Sequence, residues 1–234
     1  MTNLSFQNGR SKKRFRPLLF LFPLLFLALI LASFSACQKE ADPLDYLSEY
    51  RSEIYLAETE EFSLRAYAVE KEHPFVADGL VGTLTKRVEF YLTAKDGSMS
   101  CHIRYFLDGE EHGGEASFDS VKREYYYSCA ADLQGKTTLP VRITLGEQEY
   151  ELTAHSVKTE ITLSGETVLK LLKETESELF ASLVSSKELL AELHLRLLYE
   201  DAPYYYIGVV ERSGRITAFL MDGETGKILA KRQS

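Results

Sequence analysis

Side chains able to do covalent, acid–base or metal chemistry are few in this chain and widely spaced. The three cysteines are Cys37, Cys101 and Cys129, and the five histidines are His73, His102, His112, His155 and His194. There is no H-E-x-x-H pair, G-x-S-x-G elbow, S-x-x-K pair, P-loop or G-x-G-x-x-G turn. A thiol attacks as its thiolate, and Cys101 and Cys129 fall on the apolar faces of expected strands, where burial disfavours that form. The stretch Asp108-Gly109-Glu110-Glu111-His112-Gly113-Gly114-Glu115 gathers carboxylates and one imidazole. A calcium loop spaces its oxygen ligands on alternate residues around a glycine turn. This stretch does not, and reads as a solvated acidic hairpin tip. Carboxylates abound elsewhere, but spacing along a chain cannot sort them into an acid and a base. The sequence therefore assigns no catalytic residue, no metal and no cofactor.

Cys37 stands apart because of what precedes it. Arg10, Lys12, Lys13, Arg14 and Arg16 form a positive cluster, Pro17 begins a long apolar run, and Ala32-Ser33-Phe34-Ser35-Ala36 leads to Cys37. A positive segment, an apolar core and small residues before a cut site make an export leader. The basic flank stays on the cytoplasmic side and the remainder crosses. Phe34-Ser35-Ala36-Cys37 resembles the lipobox of bacterial lipoproteins. The resemblance implies that the Cys37 thiol is alkylated with diacylglycerol, that residues 1–36 are removed, and that Cys37 becomes the lipid-anchored first residue. Two acyl chains suffice for stable anchoring, at about 0.8 kcal/mol per buried CH₂. The alternative is an uncleaved transmembrane helix: about 20 apolar residues span a bilayer, and residues 17–36 are that many, with Pro23 among them. Either reading places everything after Cys37 outside the cytoplasmic membrane.

The leader carries five of the 27 Lys+Arg and none of the 35 Asp+Glu, so the chain from Cys37 onward has 22 basic against 35 acidic side chains and a formal charge of −13. Such a charge argues against nucleic acid as a partner. It also argues against adhesion to anionic lipid beyond the acyl anchor.

The elements that must position these residues are mostly strands. Residues 37–53 are polar at the start, contain Pro43, and read as a tether, with a helical turn admitted at Asp45 to Glu53. From Ile54 to Lys158 the chain alternates with period two. Phe62, Leu64, Ala66 and Ala68 do so, as do Val88, Phe90, Leu92 and Ala94. Cys101, Ile103, Tyr105 and Leu107 follow, then Val141, Ile143 and Leu145, then Tyr150, Leu152 and Ala154. Turn signals separate these runs at Asp78-Gly79, Asp96-Gly97, Asp108-Gly109, Gly113-Gly114 and Gly146-Glu147. The spacing predicts an antiparallel sandwich, immunoglobulin-like in outline, over residues 54–158. A hairpin centred near Glu115 would set Cys101 opposite Cys129. Export permits a disulfide there, worth about 3–4 kcal/mol for such a loop. Two buried free thiols fit the same residues equally well.

After His155 the period changes. Ser164 is a candidate N-cap, and Val168, Leu171, Leu172, Thr175, Leu179 and Leu183 recur at helical spacing. Strands follow at Glu192 to Tyr199, with a helix through Leu189, Leu190, Leu193 and Leu197 as the alternative there, and at Tyr204 to Glu211, Ile216 to Met221 and Lys227 to Ala230, a helix-then-sheet pattern over residues 159–234 that defines an α+β unit. Tyr204 to Val209, Arg215 to Asp222 and Glu224-Thr225-Gly226-Lys227-Ile228-Leu229 resemble a PepSY-type repeat, which implies a helix packed on a short antiparallel sheet. In that family the module is proposed to bind peptides or restrain peptidases. Asp222 and Gly226 also have a purely local reading as turn residues.

The fold expected is therefore mostly β plus α+β. The function expected is non-catalytic binding or scaffolding at the cell envelope, with the membrane held through Cys37 and a protein, peptide or wall polymer as partner. Regulation of an envelope peptidase is the alternative, and a hydrolase assembled from distant strands is a third.

Overall fold

A computed structural model describes residues 41–72, 78, 80–95, 97 and 99–234. The leader, Cys37 and His73 lie outside these, as do Gly79 and Asp96 from two of the turns expected above.

The body is mostly antiparallel β-sheet with two helices among the described residues. Its organising element is β1, Leu47–Glu58. Pro43–Tyr46 forms a 3-10 turn just before it, capped by the Asp42 carboxylate, which accepts from the Leu44 amide at 3.1 Å. Along one edge β1 pairs with β2, Phe62–Glu72, over most of its length. Along the other edge it changes partner. Its first half runs parallel to β12, Ala191–Tyr199, with Tyr50 beside Leu195, whereas Tyr55 and Leu56 pair with β9, Gln148–Ser156. A bulge between Arg51 and Glu53 inserts Ser52 at the changeover, and such a bulge bends a strand and raises its twist.

The segment expected to be a tether over 37–53 is thus, from Pro43 on, turn and strand. The reason is on both its edges: Glu49, Tyr50 and Arg51 have ladder partners on β2 and β12, and Leu47 on β12, which a free tether lacks. No helical turn forms at 47–53, where the backbone is strand.

Beyond β2 the sheet continues through β3, Leu84–Ala94, and β7, Glu124–Ala130, to the short edge strand β6, Ser117–Asp119. A second layer runs from β9 through β8, Thr138–Leu145, and β4, Cys101–Leu107, to β5, Glu110–Glu115. The alternating apolar residues face one another between the layers: Phe62, Leu64 and Ala66 with Val88, Phe90 and Leu92 on one side, Ile103, Tyr105, Leu139, Val141 and Ile143 on the other. Each large side chain taken fully from water contributes roughly 1.5–3 kcal/mol.

The predicted hairpin between the strands of Cys101 and Cys129 does not form. Asp108 and Gly109 take φ of 53° and 87°, the two-residue hairpin geometry with both centres at positive φ. That tight turn pairs Leu107 with Glu110 and gives β4 to β5, while Cys101 aligns with Leu145 on β8 and Cys129 with Val88 on β3. Gly113 follows from the same hairpin: at φ 148° a Cβ there would sit 2.2 Å from the Ile103 carbonyl oxygen.

A second core lies under the helices. Ser164 caps α1, Gly165–Thr175, by accepting from the Thr167 amide at 3.1 Å. Val168, Leu169 and Leu172 of α1, with Phe180 and Leu183 of α2, Ser177–Leu183, cover Leu193, Leu195 and Leu197 of β12. They also cover Tyr205, Ile207 and Val209 of β13, Pro203–Glu211, and Phe219 and Met221 of β14, Ile216–Asp222. The edge strand β15, Ile228–Gln233, completes this part. A two-residue pair, β10 (Val184–Ser185) with β11 (Glu188–Leu189), links α2 to β12. Because β1 borders both β2 and β12, one sheet runs unbroken from β15 to β6 through both cores.

Candidate functional site

Where β1 changes partner, a cleft of about 200 Å³ opens. Tyr50, Glu53, Glu70, Lys86 and Arg87 line it, together with the segment Ala131 to Gly135 and Lys158. The bulge at Ser52 is what lets both Tyr50 and Glu53 line it. Glu53 accepts from the Ser156 hydroxyl at 2.8 Å and the Ile54 amide at 3.2 Å, and its other oxygen lies 3.6 Å from the Lys158 ammonium. Lys86 donates to Asp132 at 2.8 Å and to Gln134 at 3.4 Å. The Lys86 hydrogen bond holds the Asp132 carboxyl below its ordinary pKa, and Asp132 raises that of Lys86 in return. Desolvation raises the Tyr50 hydroxyl, with Glu70 and Glu53 adding to the effect, while the Gly165 backbone opposes it. Ammonium, carboxylate, amide and phenol thus line one small space, an arrangement suited to a polar ligand carrying both charges.

The face of β2 and β3 opposite Ala68 and Val88 carries a second cluster, whose Tyr67 also packs against the second core. Arg196, Arg51, Val69 and Arg87 lie in one row across β12, β1, β2 and β3. Arg51 sits over the Tyr67 ring at 4.0 Å, and the rings of Tyr67, Tyr91 and Tyr126 follow at centroid spacings of 5.4 and 5.1 Å. Arg196 pairs with Glu49 and Lys71 with Glu89, while Arg87 donates to the Ser128 hydroxyl at 3.0 and 3.2 Å.

The residues singled out in the sequence are dispersed. Cys101 is buried, and desolvation pushes its thiol up to about 12. Cys129 is half-buried, 3.1 Å from the Tyr105 hydroxyl, and both cysteines are free thiols. His112 stacks on Tyr105 at 5.3 Å, and His194 lies 2.9 Å from Glu192. The acidic stretch is the β4–β5 hairpin: Asp108 binds Lys136 at 2.6 Å and Glu111 binds Arg142 at 3.1 Å. Among the described residues no group of three or more His, Cys, Asp or Glu is placed to hold a metal ion. Asp222 accepts from the Glu224 and Thr225 amides at 3.1 and 2.7 Å, and those bonds lower its pKa. Its turn seats Gly226 against Leu171 of α1, where a Cβ would come within 2.4 Å.

Sequence reasoning missed Glu53, Lys158 and the arginine row, because the bulge breaks the alternation of β1. The signal that survives is Tyr50-Arg51 beside Ile54-Tyr55, aromatic and β-branched content that favours strand over tether. No family model, curated protein or solved structure matches this chain.

Proposed function

We propose that the protein is an extracytoplasmic lipoprotein, held to the membrane by diacylglycerol on Cys37, whose body binds or scaffolds an envelope partner rather than catalysing a reaction. The observation that carries the reading is the sequence from Arg10 to Cys37: basic cluster, apolar run, small residues, cysteine. Among the described residues no helix is long and apolar enough to cross a membrane, a statement that does not extend to residues 17–36. The binding role is supported by the cleft at the β1 changeover, whose hydrogen-bonding side chains are already oriented by Asp132, Gln134 and Ser156. In the same proposal the body is an immunoglobulin-like sandwich followed by a PepSY-like module. The alternative role is restraint of an envelope peptidase through the C-terminal module. The helix-on-sheet order of α1 and β12 to β15 favours the PepSY-like assignment.

Fractionation of cells expressing the Cys37→Ala chain tests the anchor. The wild-type chain should reach the membrane fraction at the size of residues 37–234 plus lipid, and the variant should retain its leader and incorporate no acyl chain. A Cys37→Ala chain cut to the mature size and still held in the membrane would refute lipidation.

A further inference from the structure

Arg51 is the anomaly on the face that carries the arginine row. Its guanidinium lies over Tyr67, yet it makes no hydrogen bond or ion pair among the described residues, and its Nε is buried without a partner. The Nε of Arg196 is buried and unpartnered as well. A guanidinium carries five donors, and leaving buried donors unmatched is unfavourable. Arg196 also stands directly beside Arg51 in the parallel ladder, and like charges on facing residues destabilise a sheet. Arg87, two strands from Arg51 across Val69, is bonded to a neutral hydroxyl only. With about 4.8 Å between strands, Arg51 and Arg87 are about 10 Å apart at the backbone, within the combined reach of two long side chains.

The carboxylates on this face are held by other partners and leave Arg51 and Arg87 without an acidic one. Glu49 is engaged by Arg196, and Glu89 by Lys71 and the Tyr91 hydroxyl at 3.2 Å. Five cations, Arg51, Arg65, Lys71, Arg87 and Arg196, share this face with four carboxylates, Glu49, Glu89, Glu124 and Glu192, and of the five only Arg51 and Arg87 have no acidic partner among the described residues.

We propose that Arg51, Arg87 and Arg196, on that face between β12 and β3, form a binding site for a phosphate group. Phosphate is favoured over carboxylate by valence. One guanidinium fork saturates the two oxygens of a carboxylate, whereas the additional oxygens of a phosphate can face separate forks. Tyr67, under Arg51, and Tyr206, 5.5 Å from Arg196, flank the row and offer contact to the body of the ligand. The inference rests on the binding role proposed above and not on the anchor, so its failure would leave the Cys37 fractionation result standing.

The test is calorimetric titration of the full chain in non-ionic detergent, at constant ionic strength set with chloride. The probes are inorganic phosphate, glycerophosphoglycerol as the phosphodiester of a lipid headgroup, and acetate. Saturable binding of inorganic phosphate is expected, at least tenfold weaker in Arg51→Gln and in Arg87→Gln and unchanged in Arg142→Gln on the other layer. Equal binding of glycerophosphoglycerol assigns the site to a phosphodiester, and its exclusion assigns the site to a free phosphate or monoester. No saturable phosphate signal overturns the proposal, as does acetate binding equal to phosphate or an Arg51→Gln titration identical to wild type. Should Arg51→Gln fail to fold by circular dichroism, Arg87→Gln decides, since its guanidinium is bound only to Ser128.

Discussion

Substituting Gly165 tests how tightly helix α1 is seated on β1. A Cβ at this first helical position would lie 2.7 Å from the Tyr50 hydroxyl oxygen, 2.8 Å from Tyr50 Cε2 and 2.9 Å from Leu195 Cδ2. Overpacking of this kind costs about 1–3 kcal/mol, and exchanging Gly for Ala in a helix returns at most about 1 kcal/mol. Gly165→Ala should therefore destabilise by about 1–2 kcal/mol. Tyr50 is half-buried, so Tyr50→Ala should cost about 2 kcal/mol, below the 3–5 kcal/mol of a fully buried aromatic truncation. In the double variant the new methyl enters space that the ring has left, and only the Leu195 contact remains. The cost of Gly165→Ala in the Tyr50→Ala background should fall below about 0.5 kcal/mol, a coupling of about 1 kcal/mol or more. Tyr50→Phe should relieve it only in part, because Cε2 stays in place. Urea unfolding followed by far-ultraviolet circular dichroism measures all four, the chain having no Trp to report by fluorescence. Additive costs, within about 0.4 kcal/mol, would show that α1 is not held against Tyr50 as described.

Tyr55→Phe should destabilise by about 1 kcal/mol in the same assay, because the buried hydroxyl donates to the Lys136 carbonyl at 2.9 Å; no change would place that hydroxyl in contact with water. Alkaline pH should weaken the fold. Burial moves the Cys101 thiol from 9.0 to about 12 and raises Tyr55, Tyr91 and Tyr205 above 10.0. The folded state holds these protons more firmly, so their contribution is complete below pH 9 and is lost as pH rises toward 12, at up to about 1.4 kcal/mol per unit for the thiol. Urea midpoints at pH 8 and pH 11 check this, and equal midpoints would contradict it. Two thiols from Cys101 and Cys129 should react with a thiol reagent after unfolding without reductant; a loss of both, with a mass two hydrogens lower, would show a disulfide instead.

Much of the sheet was legible because period two is a direct consequence of one buried face. Phe62 to Ala66, Val88 to Leu92 and Ile103 to Tyr105 face the first core as their alternation requires. The helix at Gly165–Thr175 was legible from its cap and its apolar stripe. Pairing was not, because register is fixed by turns and partners rather than by a strand's own pattern. Asp108-Gly109 reads equally as a loop start or as a two-residue hairpin, and only the second delivers β4 to β5 and separates Cys101 from Cys129. The candidate sites were least legible of all. Glu53, Lys86, Asp132 and Lys158 come from four distant segments, and Arg196 meets Arg51 only through a parallel pairing across 145 positions of sequence.

β1 borders both β2 and β12 and so fastens the two cores into one cooperative body. Native-state hydrogen exchange of Phe90→Ala tests it most directly, since Phe90 is fully buried in the first core and its truncation costs about 3–5 kcal/mol. The slowest amides of Ala191–Tyr199, in the second core, should lose protection by the same free energy as those of Leu84–Ala94. Wild-type protection at Ala191–Tyr199 alongside loosened amides in Leu84–Ala94 would contradict it.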